Sequence, residues 1–158
     1  MSHPTPATSQ VTPSRWDELA EGSVLPEVAL PVTDLTVILV PVATWDLFPG
    51  HHSPAYARAQ GQQDMYLNTI ALQGIADRSV TDHLGADAWV IRRKLAMLDS
   101  VYPGDRIAGS ALVVALRRDA TDNPRHVEAD VVLEMSTGRG TALRAELTVR
   151  RYTHPTGH

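Results

Sequence analysis

Cysteine does not occur anywhere in the 158 residues, so the chain can form no disulfide framework and has no thiolate nucleophile and no Cys-ligated zinc or iron–sulfur site. Chemistry must come from histidine, carboxylates, hydroxyls or the backbone. Blocks of positive charge are also missing: 14 Lys and Arg residues are scattered among 18 Asp and Glu, for a net charge of -4. No nucleic-acid footprint or polyphosphate-binding surface is expected from that pattern. The longest apolar stretch, Leu35 to Val42, is far short of the roughly 20 residues that span a bilayer. The N-terminus lacks the basic-then-apolar order of a signal peptide. A cytoplasmic location without a membrane partner is therefore the expectation. With 43% hydrophobic residues, a chain of this length buries roughly two-thirds or more of its unfolded surface, which predicts one compact domain.

The domain is bounded by composition. Residues 1–15 are Ser, Thr, Pro, Gln and Ala with almost no large apolar side chain, and cannot offset their ordering entropy, so they read as a flexible tail. Residues 153–158 read the same way, leaving 16–152 as the folded part. Trp16 to Glu21 suits a helical turn, and the prolines of Ser23 to Pro31 favour an extended edge or loop. Leu35 to Thr44 (LTVILVPVAT) is β-branched and continuously apolar, which predicts a strand at an edge or bulge because of Pro41. Ser53-Pro54 is an N-cap followed by proline, so Pro54 to Gln60 should be a short helix ended by Gly61. From Tyr66 to about His83, Leu67, Ile70, Ala71, Gly74 and Ile75 follow a helical rhythm and mark the one long helix.

After that helix the period becomes two. Trp89, Ile91, Leu95 and Met97, then Val127 to Met135, then Leu143 to Val149 alternate with charged residues, and Ile107 to Leu116 supplies a less regular strand. Pro103-Gly104, Asp122-Asn123-Pro124 and Gly138-Arg139-Gly140 provide the turns, and short connections predict antiparallel neighbours. The fold class is α+β: an antiparallel sheet wrapped around one long central helix, the layout of a hot-dog fold. Leu67, Ile70, Ala71 and Ile75 should pack against Val131, Leu133, Leu147 and Val149.

The densest set of reactive side chains lies between Thr44 and Gly61 (TWDLFPGHHSPAYARAQG). A Pro-Gly turn folds the interval from Asp46 to His51 back on itself, so a carboxylate and an imidazole can face one cavity, position a water and move protons near neutral pH. The same residues have ordinary structural readings, an Asx cap for Asp46 and a capping or surface role for the histidine. No metal site is expected, since adjacent His51 and His52 diverge and no third ligand sits at a recognisable spacing. His83 reads as a partner of the long helix's C-terminal carbonyls, and His126 as a solvated loop residue.

The segment D-x-F-P-G-H-H-x-P-x-Y-A-x-A-x-G from Asp46 to Gly61 resembles the hydratase motif D-x-N-P-x-H-x-D of the MaoC-like (R)-specific enoyl-CoA hydratases and dehydratases. The run Asp64 to Gly85 and Pro103-Gly104-Asp105 are similar to the same family, nearest its actinobacterial steroid-type branch. Phe48 stands where the family usually has Asn, and Ser53 where it often has Asp. The resemblance implies Asp46 and His51 as the acid/base pair and the backbone N–H of Asn68, or else of Thr69, as oxyanion donor at the helix N-terminus. It also implies substrate-binding or loop-support roles for His52, Ser53, Tyr56 and Gly74. The activity implied is a lyase one, adding water to or removing it from a 2-enoyl/3-hydroxyacyl thioester. The substrate would be carried on CoA or an acyl carrier protein, with neither metal nor redox cofactor. A homodimer is expected, or a heteromer with a second hot-dog subunit. Two other functions fit the same layout: a hot-dog acyl thioesterase, and a non-catalytic hot-dog partner or ligand-binding subunit.

Overall fold

The computed structural model describes residues 16–118 and 126–152. The terminal segments read as flexible, the Asp122-Asn123-Pro124 turn and the side chain of His126 lie outside the described residues.

A 3₁₀ turn at Trp16–Glu18 seats Trp16 in the core, 2% exposed. Strand β1, Val28–Pro31, is followed by helix α1, Asp34–Thr44, a 3₁₀ turn at Pro49–His51, helix α2, Pro54–Ala59, and helix α3, Thr69–Leu84. Strands β2 (Ala88–Met97), β3 (Arg106–Arg118), β4 (His126–Thr137) and β5 (Gly140–Tyr152) complete the chain. They form one antiparallel sheet in the order β1-β3-β4-β5-β2. Its inner face is lined by Val127, Ala129, Val131, Leu133 and Met135 of β4 and by Leu143, Ala145, Leu147 and Val149 of β5, all buried. The sheet curls around α3, whose Leu72, Ile75, Ala76, Val80 and Leu84 join the same core. The α+β layout, with one long helix wrapped by an antiparallel sheet, is as the sequence predicts.

Four local expectations are corrected. Leu35 to Thr44 is not a strand but lies within α1. Thr33 accepts the N–H of Thr36 at 3.0 Å while the Thr36 hydroxyl accepts the N–H of Thr33 at 3.3 Å, a reciprocal cap that outweighs the β-branched composition. Only Val37 and Pro41, one helical turn apart, are buried there, and a continuously apolar run does not by itself distinguish strand from helix.

The long helix starts at Thr69 instead of Tyr66, because Asn68 caps it by accepting the N–H of Ala71 at 2.8 Å. Tyr66 and Leu67 lie ahead of the helix, the latter donating its N–H to the carbonyl of Val101 at 2.9 Å. The buried stripe is consequently rotated: Leu67 and Ile75 are inside, but Ile70 is 46% exposed and Ala71 only partly covered.

In β2 the inward face changes partway along. A bulge between Val90 and Arg92 shifts the alternation by one residue, so Trp89 and Ile91 are exposed while Val90 and Leu95 pack on the core. Finally, β2 pairs with β5 and not with its sequence neighbour β3. Residues 98–105 pass along one end of the sheet to the start of β3, where the backbone carbonyl of Asp105 accepts the N–H of Val32 at 2.8 Å.

Candidate active site

The site begins where α1 stops. Trp45 adopts a left-handed conformation (φ 56°) and donates its N–H to Pro41, ending the helix and turning the chain so that Asp46 follows directly. Phe48 and Pro49 then open the 3₁₀ turn, with proline at a first position where its missing N–H costs nothing. This brings His51 back towards Asp46: Nε2 of His51 lies 3.5 Å from Oδ2 of Asp46.

His51 is buried, 8% exposed, and its Nδ1 sits 2.8 Å from the carbonyl oxygen of Tyr66. A carbonyl only accepts, so Nδ1 carries the proton and Nε2 of the neutral ring is a bare acceptor facing Asp46. The ring is held by aromatic edges, Phe48 at 5.5 Å and Tyr66 at 4.9 Å between centroids. Tyr56 packs on Phe48 at 5.6 Å. Gly50 has no room for a side chain, since a β-carbon there would lie 2.7 Å from the Phe48 ring and 2.9 Å from the Tyr66 hydroxyl. The phenylalanine that replaces the motif's usual Asn therefore serves as a wall for the histidine.

Asn68, fully buried, brings α3 to the pair. Its side-chain amide donates to Oδ2 of Asp46 at 3.1 Å and to the Thr44 hydroxyl at 2.9 Å. Thr69 opens the helix as its first residue, exposed, where backbone N–H groups lack intrahelical acceptors and the helix dipole is positive. Thr69, Tyr66, Leu67 and Leu72 line a cleft of about 370 Å³ whose other wall is Met97, Leu98, Asp99 and Ser100.

The remaining expected residues divide. Ser53 caps α2 by accepting the N–H of Tyr56 at 3.3 Å, and Tyr56 supports Phe48, so both brace the loop. His52 is exposed and turned away, its Nε2 3.2 Å from the carbonyl of Leu47. Gly74 lies on the exposed side of α3 with nothing within 4 Å of a β-carbon built on it. His83 contacts the Pro26 carbonyl at 3.0 Å and not the end of its own helix. Among the described residues no three His, Asp or Glu side chains converge as metal ligands would.

No family model matches the chain. It is 29% identical over 129 residues, 82% of its own length and 95% of the relative's, to the 3-oxo-4,17-pregnadiene-20-carboxyl-CoA hydratase beta subunit of Mycobacterium tuberculosis. The ChsH1-ChsH2 complex of the same organism contains a chain that superposes with a TM-score of 0.72 at 26% identity, covering 84% of this chain and 98% of that one. A MaoC-like dehydratase from Rhodospirillum rubrum gives 0.74 at 19% identity, covering 89% and 97%. The chain has the hot-dog fold of these MaoC-like proteins.

Several features of this hot-dog site are not visible in the sequence. The Tyr66 carbonyl that fixes the histidine tautomer is a backbone atom, and no side-chain pattern announces it. The Asn68 side chain had a signal, since Asn is among the preferred N-caps, but a helix begun at Tyr66 conceals the cap. Thr44, at the end of α1, could be placed only once that segment was known to be helical. No helix among the described residues is long and apolar enough to cross a membrane.

Proposed function

We propose that the chain adds water to a 2-enoyl thioester to give a 3-hydroxyacyl thioester, and catalyses the reverse dehydration, with the acyl group on coenzyme A or on the pantetheine of an acyl carrier protein. The observation that carries this reading is Nε2 of His51 facing Oδ2 of Asp46 across 3.5 Å. Both atoms are acceptors when the ring is neutral and the carboxylate ionised, and a water molecule with two O–H groups satisfies both at once.

As the water oxygen bonds to the β-carbon, the pair takes up one of its protons and returns one to the α-carbon. A C–O and a C–H bond form, the C=C π bond breaks, and no net charge is left on the product. In between, negative charge collects on the thioester oxygen, and the N–H groups at Asn68 and Thr69 stand at the positive end of α3 to receive it. The resemblance to the MaoC-like family carries (R) stereochemistry at the new carbinol.

A relative named for a CoA-thioester hydratase supports coenzyme A as the carrier. That the relatives are a beta subunit and a two-component complex supports assembly with a second hot-dog subunit, identical or not. The apolar stripe left exposed on α1, formed by Leu35, Ile38, Leu39 and Val42 and continued by Trp45 and Leu47, is the kind of surface an interface covers.

The test is a panel of enoyl-CoA and enoyl-carrier substrates given to the protein in its native assembly and followed by mass. Gain of one water with the thioester intact is expected. Release of free thiol would make the protein a thioesterase, and no change on any substrate would leave the non-catalytic reading.

A further inference from the structure

We infer that Asn68 is a positioning residue for the Asp46–His51 pair, its side-chain amide fixing the rotation of the Asp46 carboxylate while its oxygen caps α3. The inference rests on the hydratase reading above and deepens it. The direction of every hydrogen bond around this amide follows from its neighbours. The N–H of Ala71 can only donate, so the atom 2.8 Å from it is the amide oxygen. The NH₂ group must then face the Thr44 hydroxyl at 2.9 Å and Oδ2 of Asp46 at 3.1 Å. Thr44 gives its own hydroxyl proton to the carbonyl of Val40 at 2.8 Å, so it receives one from Asn68.

Each N–H of the amide is committed, and the side chain is wholly buried. A buried amide satisfied in this way has one orientation, because turning it over would set its oxygen against two acceptors and leave the Ala71 N–H unpaired. Oδ2 of Asp46 is thereby tethered to the amide on the side where it faces Nε2 of His51, and this bond opposes swinging of the planar carboxylate about its Cβ–Cγ bond. One side chain thus ties together the end of α1, the catalytic carboxylate and the first turn of α3, where the oxyanion donors lie. A shift between the two halves of the site would separate the water from the thioester, and misplacement by about 1 Å is enough to cost on the order of 10²-fold in rate.

The experiment compares Asn68→Ser and Asn68→Asp with the parent for kcat, KM, pH profile and melting temperature. Serine caps a helix about as well as asparagine but cannot reach both Thr44 and Asp46. Its kcat should fall roughly 10-fold or more with little change in KM. Aspartate keeps the shape and the cap but sets a second carboxylate against Asp46. Since two touching carboxylates share a proton, the acid limb of its kcat profile should move up by about one pH unit or more. If serine proves too small for the buried site to fold, the aspartate variant decides alone. Parental kcat in a folded Asn68→Ser protein, or an unmoved acid limb in Asn68→Asp, would overturn the inference. A parent that hydrates no enoyl thioester sinks the hydratase reading and this role with it, whereas an active parent matched by both variants sinks only the role of Asn68.

Discussion

Nδ1 of His51 and the carbonyl oxygen of Tyr66 lie 2.8 Å apart, and this contact decides which ring nitrogen is free to accept a proton. It also makes the histidine's role dependent on its backbone anchor rather than on Asp46, which at 3.5 Å is beyond the reach of a strong hydrogen bond. The pair is open, and chemistry between its members is what the first prediction measures.

Asp46→Asn keeps the shape but removes the charge, and His51→Ala removes the acceptor. Each should slow hydration of the preferred enoyl thioester by roughly 10²-fold or more, the usual size of an acid–base contribution. Because both act on one water, the double variant should be little slower than either single one. His83→Ala, at the far end of α3, is the control and should keep most activity. Steady-state kinetics with both single variants near the parental rate would remove this loop from the chemistry.

The rotated face of α3 gives a stability prediction. Ile75, 7% exposed, should cost about 2–5 kcal/mol when cut to alanine, through lost transfer energy and a cavity. Ile70, 46% exposed, should cost well under half as much. Urea unfolding of the two variants checks the order; equal losses would mean that the helix packs by some other face.

Gly109 on β3 is pinned by its neighbour strand. A β-carbon there would lie 2.2 Å from the carbonyl oxygen of Glu134 and 2.9 Å from Cα of Met135, both backbone atoms that cannot step aside singly. Gly109→Ala should therefore destabilise by about 1–3 kcal/mol or more, as overpacking does, and should loosen the β3–β4 ladder. Calorimetry with amide exchange at Ser110 and Glu134 would show it. A parental melting temperature would contradict the close approach.

On the outer face of the sheet, the hydrogen bond from Arg117, with help from the Thr148 hydroxyl, holds the Asp130 carboxyl down at about 2 from its ordinary 3.8. The bond from Arg150 lowers that of Glu128 in the same sense. A carboxyl whose folded value is depressed stabilises the fold above its unfolded value and loses that contribution as pH falls towards the folded one. Stability should therefore decline between pH 3.8 and about 2 through Asp130, and less steeply in Arg117→Gln. Both side chains are substantially exposed, 50% for Arg117 and 35% for Asp130, so the difference should shrink in high salt. Acid titration followed by circular dichroism at two ionic strengths tests the sign and the screening.

The parts of this molecule legible in its sequence are those where one signal dominates. Strands β4 and β5 alternate strictly because one face is core and the other water, and Ser53-Pro54 announces α2 through its cap. The turn from Asp46 to His51 is short enough that its geometry follows from the Pro-Gly pair. The illegible parts are those where two signals compete or where the decisive partner is remote. In α1, β-branched residues argue for a strand, and the Thr33–Thr36 cap prevails. In β2, the bulge after Val90 reverses a pattern that looks continuous from Trp89 to Met97. The face of α3 depended on a starting residue hidden by two apolar positions, Leu67 and Tyr66, which lie just ahead of the cap. The pairing of β2 with β5 joins Ala88 to Arg151, a separation that no local pattern encodes.

That last pairing has a consequence for how the molecule is made. β5 is an interior strand of the sheet, flanked by β4 and β2, yet it is the last strand among the described residues. As the polypeptide leaves the ribosome, the loop of Asp46 and His51, α3 and β2 all emerge before the strand that will bridge β2 to β4. Until residues 140–152 are available, the hydrogen-bonding edges of β2 and β4 have no common neighbour, and α3 has only part of the wall it packs on. Closing such long-range pairs is the slow step in β-rich folding. The nascent chain therefore carries Asp46 and His51 early and acquires the wall that encloses them only once β5 has been made.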